Sequence, residues 1–220
     1  MAAVHTAFLR EFFAMPELVR AVPDGDQQRA VIVADHIALF IAGLHGHHEG
    51  EDVEIWPRLL ERCAEEIRPL VHGMERHHAL IAAGIDALSG AAARWRSDAG
   101  AEHRAVMESS LDDLLPILRQ HLTDEIDYVL PLIEKYISDD EWAALGAHSR
   151  GTMPAEALPL IFGIVMYEAE PHVIDEMLAE LPEEARAALA GSAPRAYAEY
   201  AERLYGTSSP ARWSTSSSAG

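Results

Sequence analysis

The sequence holds a single cysteine, Cys63, in 220 residues. One thiol excludes an internal disulfide framework and a cysteine-rich structural zinc site, and it fits a reducing, cytoplasmic setting. Positive charge is scarce as well: 17 Lys and Arg stand against 36 Asp and Glu, for a formal net charge of −19. Nucleic acid and anionic membranes are both polyanions, so neither is a suitable partner, whereas metal cations are. No stretch alternates apolar and polar residues over a useful strand length. The longest apolar run, Leu158 to Tyr167, is too short to cross a bilayer, and Arg10 and Glu11 interrupt MAAVHTAFLREFF before it reaches the length of a secretory signal. What is abundant is apolar helical sequence: 49% of residues are hydrophobic, enough for one sizeable domain or a domain with an appendage.

Helical stripes organise the first two thirds. Val4, Phe8, Phe12, Met15 and Val19 predict a first helix over residues 4–22, with Pro16 inside it. Pro23-Asp24-Gly25-Asp26 reads as a turn whose Asp26 caps a second helix over 27–55. A third helix is expected over 65–88, a loop at Ser97-Asp98-Ala99-Gly100, and a fourth helix over 102–130 with a bend at Pro116. Short connections between four helices imply an up-down-up-down bundle.

Within this pattern one plan occurs twice. LHGHHEGEDVEIWPRLL (residues 44–60) and QHLTDEIDYVLPLI (residues 120–133) share H-x-x-x-E-x-x-x-[IV]-[WL]-P. His47 and Glu51 occupy the first copy, His121 and Glu125 the second. Residues four apart lie on one helical face, about 6 Å apart along the axis. An imidazole and a carboxylate so placed can grip one metal ion, or the carboxylate can bridge two. Each copy ends at a proline, Pro57 or Pro131, which interrupts the helical hydrogen-bond ladder. In an antiparallel bundle His5, His47, His77 or His78, and His121 fall at the same end. Three or four imidazoles and two carboxylates suffice for two metal ions. Imidazole with carboxylate and no thiolate suits iron or manganese, and a dizinc site less well.

HTAFLREF, HHEGEDVEIWPRL, MERHHALI and HLTDEIDYVLPLIEKYISDDEW together resemble the bacterial hemerythrin-like, or HHE cation-binding, domain, in its longer actinobacterial form. The likeness is close over residues 1–145 and loose beyond. It implies an all-α, hemerythrin-like four-helix bundle with a non-haem di-iron centre that reacts with O2 or related oxidants. The implied ligands are His5, His47, Glu51, His78, His121 and Glu125, with Glu51 and Glu125 as bridging carboxylates. The chain departs from the oxygen carriers on the third helix, where Met74 and Gly73 stand four residues before His78 and His77. One imidazole is therefore missing. Glu75, three before His78, is a candidate to fill the gap, as are solvent or a tyrosine; His77 is the rival to His78. Fewer imidazoles and more oxygen ligands would move the centre from reversible O2 carriage toward redox chemistry or sensing.

The remaining histidines receive plainer assignments. His48 has Asp52 four residues on, but lies one residue round the helix from His47, which places it around the site rather than among its ligands. His45 reads as solvated, and His36, about 16 Å along the helix from His47, as a polar core residue. Asp52 and Asp124 are candidates to accept the second N–H of a ligating histidine.

The domain expectation is a bundle over residues 1–137, a C-terminal helical extension over 138–206 and a disordered tail over 207–220. The extension opens with a capping box, Ser138 to Glu141, and continues with helices over 158–169, 171–181 and 193–205. The functional expectation is a cytoplasmic di-iron protein, monomer or homodimer, that binds or reacts with O2, hydrogen peroxide or nitric oxide. The sequence is compatible with catalase-like turnover of peroxide and with oxidase or oxygenase activity. The alternatives are a di-iron oxygenase or oxidase for an organic substrate, and a non-catalytic iron-binding module.

Overall fold

The computed structural model describes residues 1–213, with only the backbone described at Ala64 and Glu66. The described residues form helices and connecting turns, without a strand. Contacts divide the chain into two compact units: Phe12–Thr152, and Met1–Glu11 together with the chain from Met153 onward.

The first of these is the bundle. Its long helices are α1 (Ala2–Arg20, from Phe12 on), α2 (Gln27–Glu54), α4 (Ala64–Asp98) and α5 (Ala101–Asp124), with the short α3 (Trp56–Arg62) between α2 and α4. Asp26 caps α2, its side chain accepting from Arg29 N–H. Pairings along the helices fix their directions. Asp35 meets Arg96 and Asp52 meets His78, so α2 and α4 run antiparallel. Asp24 meets Arg104, and Arg119 lies over the Phe13 ring, so α1 and α5 do too. The up-down-up-down expectation holds. The core between the helices contains Phe12, Met15, Ile37, Leu44, Ile81, Leu88, Trp95, Leu111 and Leu118, all at most 1% exposed.

Several helix limits differ from the sequence reading. The third long helix runs to Asp98 rather than Leu88, because buried Ala91, Ala92 and Trp95 carry its apolar face past Ser89 and Gly90. Ala99 then ends it in the left-handed region, φ 51°. α5 passes through Pro116 without interruption. The departure comes later, at residues 125–129, which form a π-helical turn closed by Leu130 N–H to Glu125 O. Pro131 then sits at the start of α6 (Leu130–Tyr136), as Pro57 does in α3. Both motif copies thus end in a change of helix, with the proline in the first turn of the new helix, where its missing N–H costs no hydrogen bond. Gln27–Arg62 is long and apolar enough by length and composition to cross a membrane, and half of its most apolar 18-residue window is buried inside the protein.

α7 (Asp139–Gly151) belongs to the bundle unit, so the division falls after Thr152 and not at the expected 137/138 boundary. Two glycines of the first motif explain this. A Cβ at Gly46 would meet the Thr152 side chain, and one at Gly50 would come within 2.9 Å of Leu145 Cδ1. Glycine in a helix interior costs roughly 0.5–1 kcal/mol; here it lets α7 approach the α2 backbone. The expected Ser138–Glu141 capping box is present, and Glu141 also accepts from Arg62 of α3 at 2.6 Å.

The second unit contains α8 (Leu158–Glu168), α9 (Pro171–Ala179) and α10 (Glu183–Tyr205). α10 begins ten residues earlier than expected and carries Pro194 in its interior. Met166, Met177 and Leu178 pack on Phe162, Leu181 and Ala193 within this unit. A Cβ at Gly163 would collide with the Ala193 carbonyl, so α8 and α10 touch through backbone. Residues 207–213 of the expected disordered tail are described and anchored: Tyr167 OH donates to Pro210 O, Arg10 Nε to Ala211 O (3.0 Å), and Trp213 N–H to Glu168 (3.0 Å). The rest of that tail lies outside the described residues.

Arg10 is the hub of this unit, 6% exposed. It pairs with Glu11 and, at 3.1 Å, with Glu168, under the rings of Tyr167, Tyr197 and Tyr205. Tyr205 OH also donates to Glu11. Two carboxylates share one guanidinium, and burial pushes the Glu11 carboxyl up to about 7 against the pull of Arg10 and Tyr205. The native state then keeps a proton that the unfolded chain, with an ordinary value of 4.5, has released. This stabilising contribution is complete below about pH 4.5 and fades as pH rises to about 7, by at most about 3 kcal/mol. Glu11→Gln keeps an acceptor for Tyr205 and removes the titration. Its melting temperature should therefore fall less than the wild type's between about pH 5 and 7. Equal slopes would show that Glu11 is ionised throughout.

Candidate metal centre

The doubled motif brings its four residues together. His47, Glu51, His121 and Glu125 are all buried, at 8, 0, 0 and 0% exposure. His47, Glu51 and Glu125 each offer a ligand atom within 4.8 Å of the others, and His48, His78 and His121 form a second such group. Three ligands about 2.1 Å from one ion lie at most about 3.6 Å from one another on average, so a group of this size closes on a metal with inward shifts of up to about 0.7 Å per ligand atom.

The two groups meet at the carboxylates. Glu51 Oε1 lies 3.1 Å from His47 Nε2, while its Oε2 lies 3.7 Å from His78 Nε2. Glu125 Oε2 lies 3.6 Å from His121 Nε2. Glu125 opens the π-helical turn, a local irregularity frequent at functional sites. Nε2 of His78 and both ring nitrogens of His121 are buried without a hydrogen-bond partner among the described residues.

Electrostatics in this pocket favours neutral imidazoles and penalises bare carboxylates. Burial holds His47 down to about 3 and His121 down to about 2, with His78 adding to both shifts. Burial also lowers His78, opposed by Asp52. Burial, and then the neighbouring Glu125, raises Glu51 well above the usual carboxylate range, and burial raises Glu125 to about 7. Neutral imidazoles with available lone pairs beside two confined carboxylates are a donor set that a cation completes. The residues therefore fit bound metal.

Among the other expected site residues, His5 is fully buried on the opening turns of α1, in the second unit. Glu75 does not reach the centre: it faces outward and pairs with His72 at 3.0 Å. His77 is half-buried, its ring 5.9 Å from that of His121, and it joins neither ligand group. His36 is a core residue beside Phe40, and His45 is exposed. Asp124 accepts from Gln120, away from the histidines. Asp52, by contrast, accepts from His78 Nδ1 at 3.1 Å, which turns Nε2 toward Glu51. His48 is the residue the sequence reading set aside and the structure brings in.

The hemerythrin HHE cation-binding domain model matches residues 1–133. The chain belongs to the hemerythrin HHE family. No curated protein and no solved structure gives a match. Within this hemerythrin-like domain Asp52, the hydrogen-bond partner of His78, is about half exposed, so its loss should not disturb the core. Removing such an outer partner typically weakens metal binding roughly 10–100-fold. Asp52→Ala is expected to show that loss in a competition titration against a chelator, with a normal melting curve for the metal-free protein. Wild-type affinity would mean that His78 is oriented without Asp52.

Proposed function

We propose that the buried His and Glu residues hold two iron ions, and that the loaded protein reacts with small oxidants: dioxygen, hydrogen peroxide or nitric oxide, in oxidative-stress defence or sensing. The observation that carries this reading is Glu51, whose two oxygens face imidazoles of different ligand groups. One carboxylate reaching two sets of imidazoles suits two ions rather than one. Imidazole and carboxylate without thiolate favour iron or manganese over structural zinc. The family resemblance adds His5 to the ligands. A reducing, cytoplasmic setting agrees with the lone, buried Cys63.

Bound iron would supply a change of oxidation state and open positions for a small molecule. The chain's own contributions are physical. Burial keeps the imidazoles unprotonated, Glu51 and Glu125 offset the cations' charge, and Asp52 aims His78. A cleft of about 360 Å³ opens beside the centre, lined by His45, His48, Glu49, Asp52, His78, Ala79, Ala82 and Ile85. Its lining combines imidazoles and carboxylates with small aliphatic side chains and lacks Met, Tyr and Phe.

Hydrogen peroxide consumption by the iron-loaded protein tests this reading. Measurable turnover, reduced in Glu51→Ala, is expected. A spectrum that bleaches under argon and returns in air over many cycles would instead make the protein a carrier. Tight binding of an organic molecule with neither behaviour would favour an oxygenase.

A further inference from the structure

We propose that His48 is a metal ligand, replacing from α2 the imidazole that α4 lacks; this rests on the two-ion reading above. α4 presents His78, but Met74, four residues earlier, is a buried apolar side chain, 1% exposed. A second imidazole therefore does not come from that face of α4 by helical spacing.

His48 occupies the corresponding space. It is 7% exposed, and its ring centroid lies 4.1 Å from that of His78 and 4.8 Å from that of His121. His78 and His121 are themselves 4.9 Å apart. One nitrogen from each of the three lies within 4.8 Å of the other two. Three helices thus deliver three imidazoles to one point.

The adjacent positions of His47 and His48 now have a use. Successive residues turn about 100° round a helix. His47 addresses Glu51 and Glu125, while His48 addresses His78 and His121. Glu51 and Glu125 each also approach a histidine of the second group, at 3.7 and 3.6 Å. The resulting division is one ion on His47 with the carboxylates, and a second on His48, His78 and His121 with the same carboxylates reaching across. Asp52 orients His78 at this second position, and the cleft opens beside it, since His48 and His78 both line that cleft. The ion held by His48 is therefore the one that an incoming small molecule meets.

The test is cobalt and iron binding to the full chain carrying His48→Ala, with His45→Ala as the control, because His45 lies on the same helix and lines the same cleft. Loss of a direct ligand should exceed the roughly 10–100-fold effect of losing an outer partner. One ion per chain should be lost or weakened beyond that range in His48→Ala, with two retained in His45→Ala. His48→Gln, which preserves bulk and polarity, guards against misfolding. In the cobalt-loaded protein its paramagnetically shifted imidazole N–H signals should be one fewer than in wild type. Two ions at wild-type affinity, or an unchanged signal count, would overturn the role of His48 and leave the two-ion reading standing. Failure of the wild type to bind two ions would overturn that reading itself.

Discussion

Glu51→Ala is expected to leave the protein with less than one bound ion per chain. Glu51 is fully buried and is the residue whose two oxygens face both ligand groups, so its removal would take a ligand from each of the two proposed ions at once. His47→Ala and His121→Ala remove one imidazole each and are expected to lower binding to one ion or less. The metal-free forms should behave in the opposite sense. Without a cation Glu51 is a confined carboxyl held protonated by burial and by Glu125, while the unfolded chain has released that proton at neutral pH. A raised native value means that the group's stabilising contribution is present at acid pH and lost as pH rises. Metal-free Glu51→Gln should therefore melt above metal-free wild type at pH 7, although it binds metal poorly. This is the trade between stability and function expected of a site residue. Full occupancy by two ions in Glu51→Ala, measured by elemental analysis on folded protein, would remove Glu51 from the centre.

Stripping the metal from the wild type should lower its melting temperature by on the order of 10 °C or more. A ligand that binds only the native state, at a concentration a thousand times its Kd, contributes about 4 kcal/mol. For a chain of this size 1 kcal/mol moves the midpoint by about 2–4 °C. The two proposed ions would give a shift of that order even with some affinity of the unfolded chain through its histidines. The structural reason is the crowding of His47, Glu51, Glu125, His48, His78 and His121 into two adjoining groups within the bundle. Unfolding monitored by circular dichroism before and after chelation measures the shift. An unchanged curve after verified metal loss would show that the ligands do not depend on a cation.

The bundle and the heart of the centre were legible in the sequence for the same reason: both depend on periodicity within single helices. Spacing of four puts His47 with Glu51 and His121 with Glu125, and both pairs are buried together. What was not legible depends on neighbours. His48 lies one residue round from His47, and no count along α2 reveals that α4 and α5 place His78 and His121 opposite it. Glu75 has a plausible spacing to His78, yet its side chain turns outward to His72. Nothing in the spacing along α2 shows that α7 packs on its backbone at Gly46 and Gly50. Asp52 was one of two carboxylates on which the spacing could not decide, and the hydrogen bond from His78 decides it. The start of α10 at Glu183 was hidden by Pro194, which looks like a helix opening and lies inside one.

Metal analysis with an optical spectrum of aerobically purified protein decides whether the proposed two-iron centre exists in this hemerythrin-like bundle. Two iron ions per chain are expected, with near-ultraviolet charge-transfer absorption that dithionite bleaches. A colourless protein carrying zinc, or one carrying less than one ion per chain after iron loading, would contradict it.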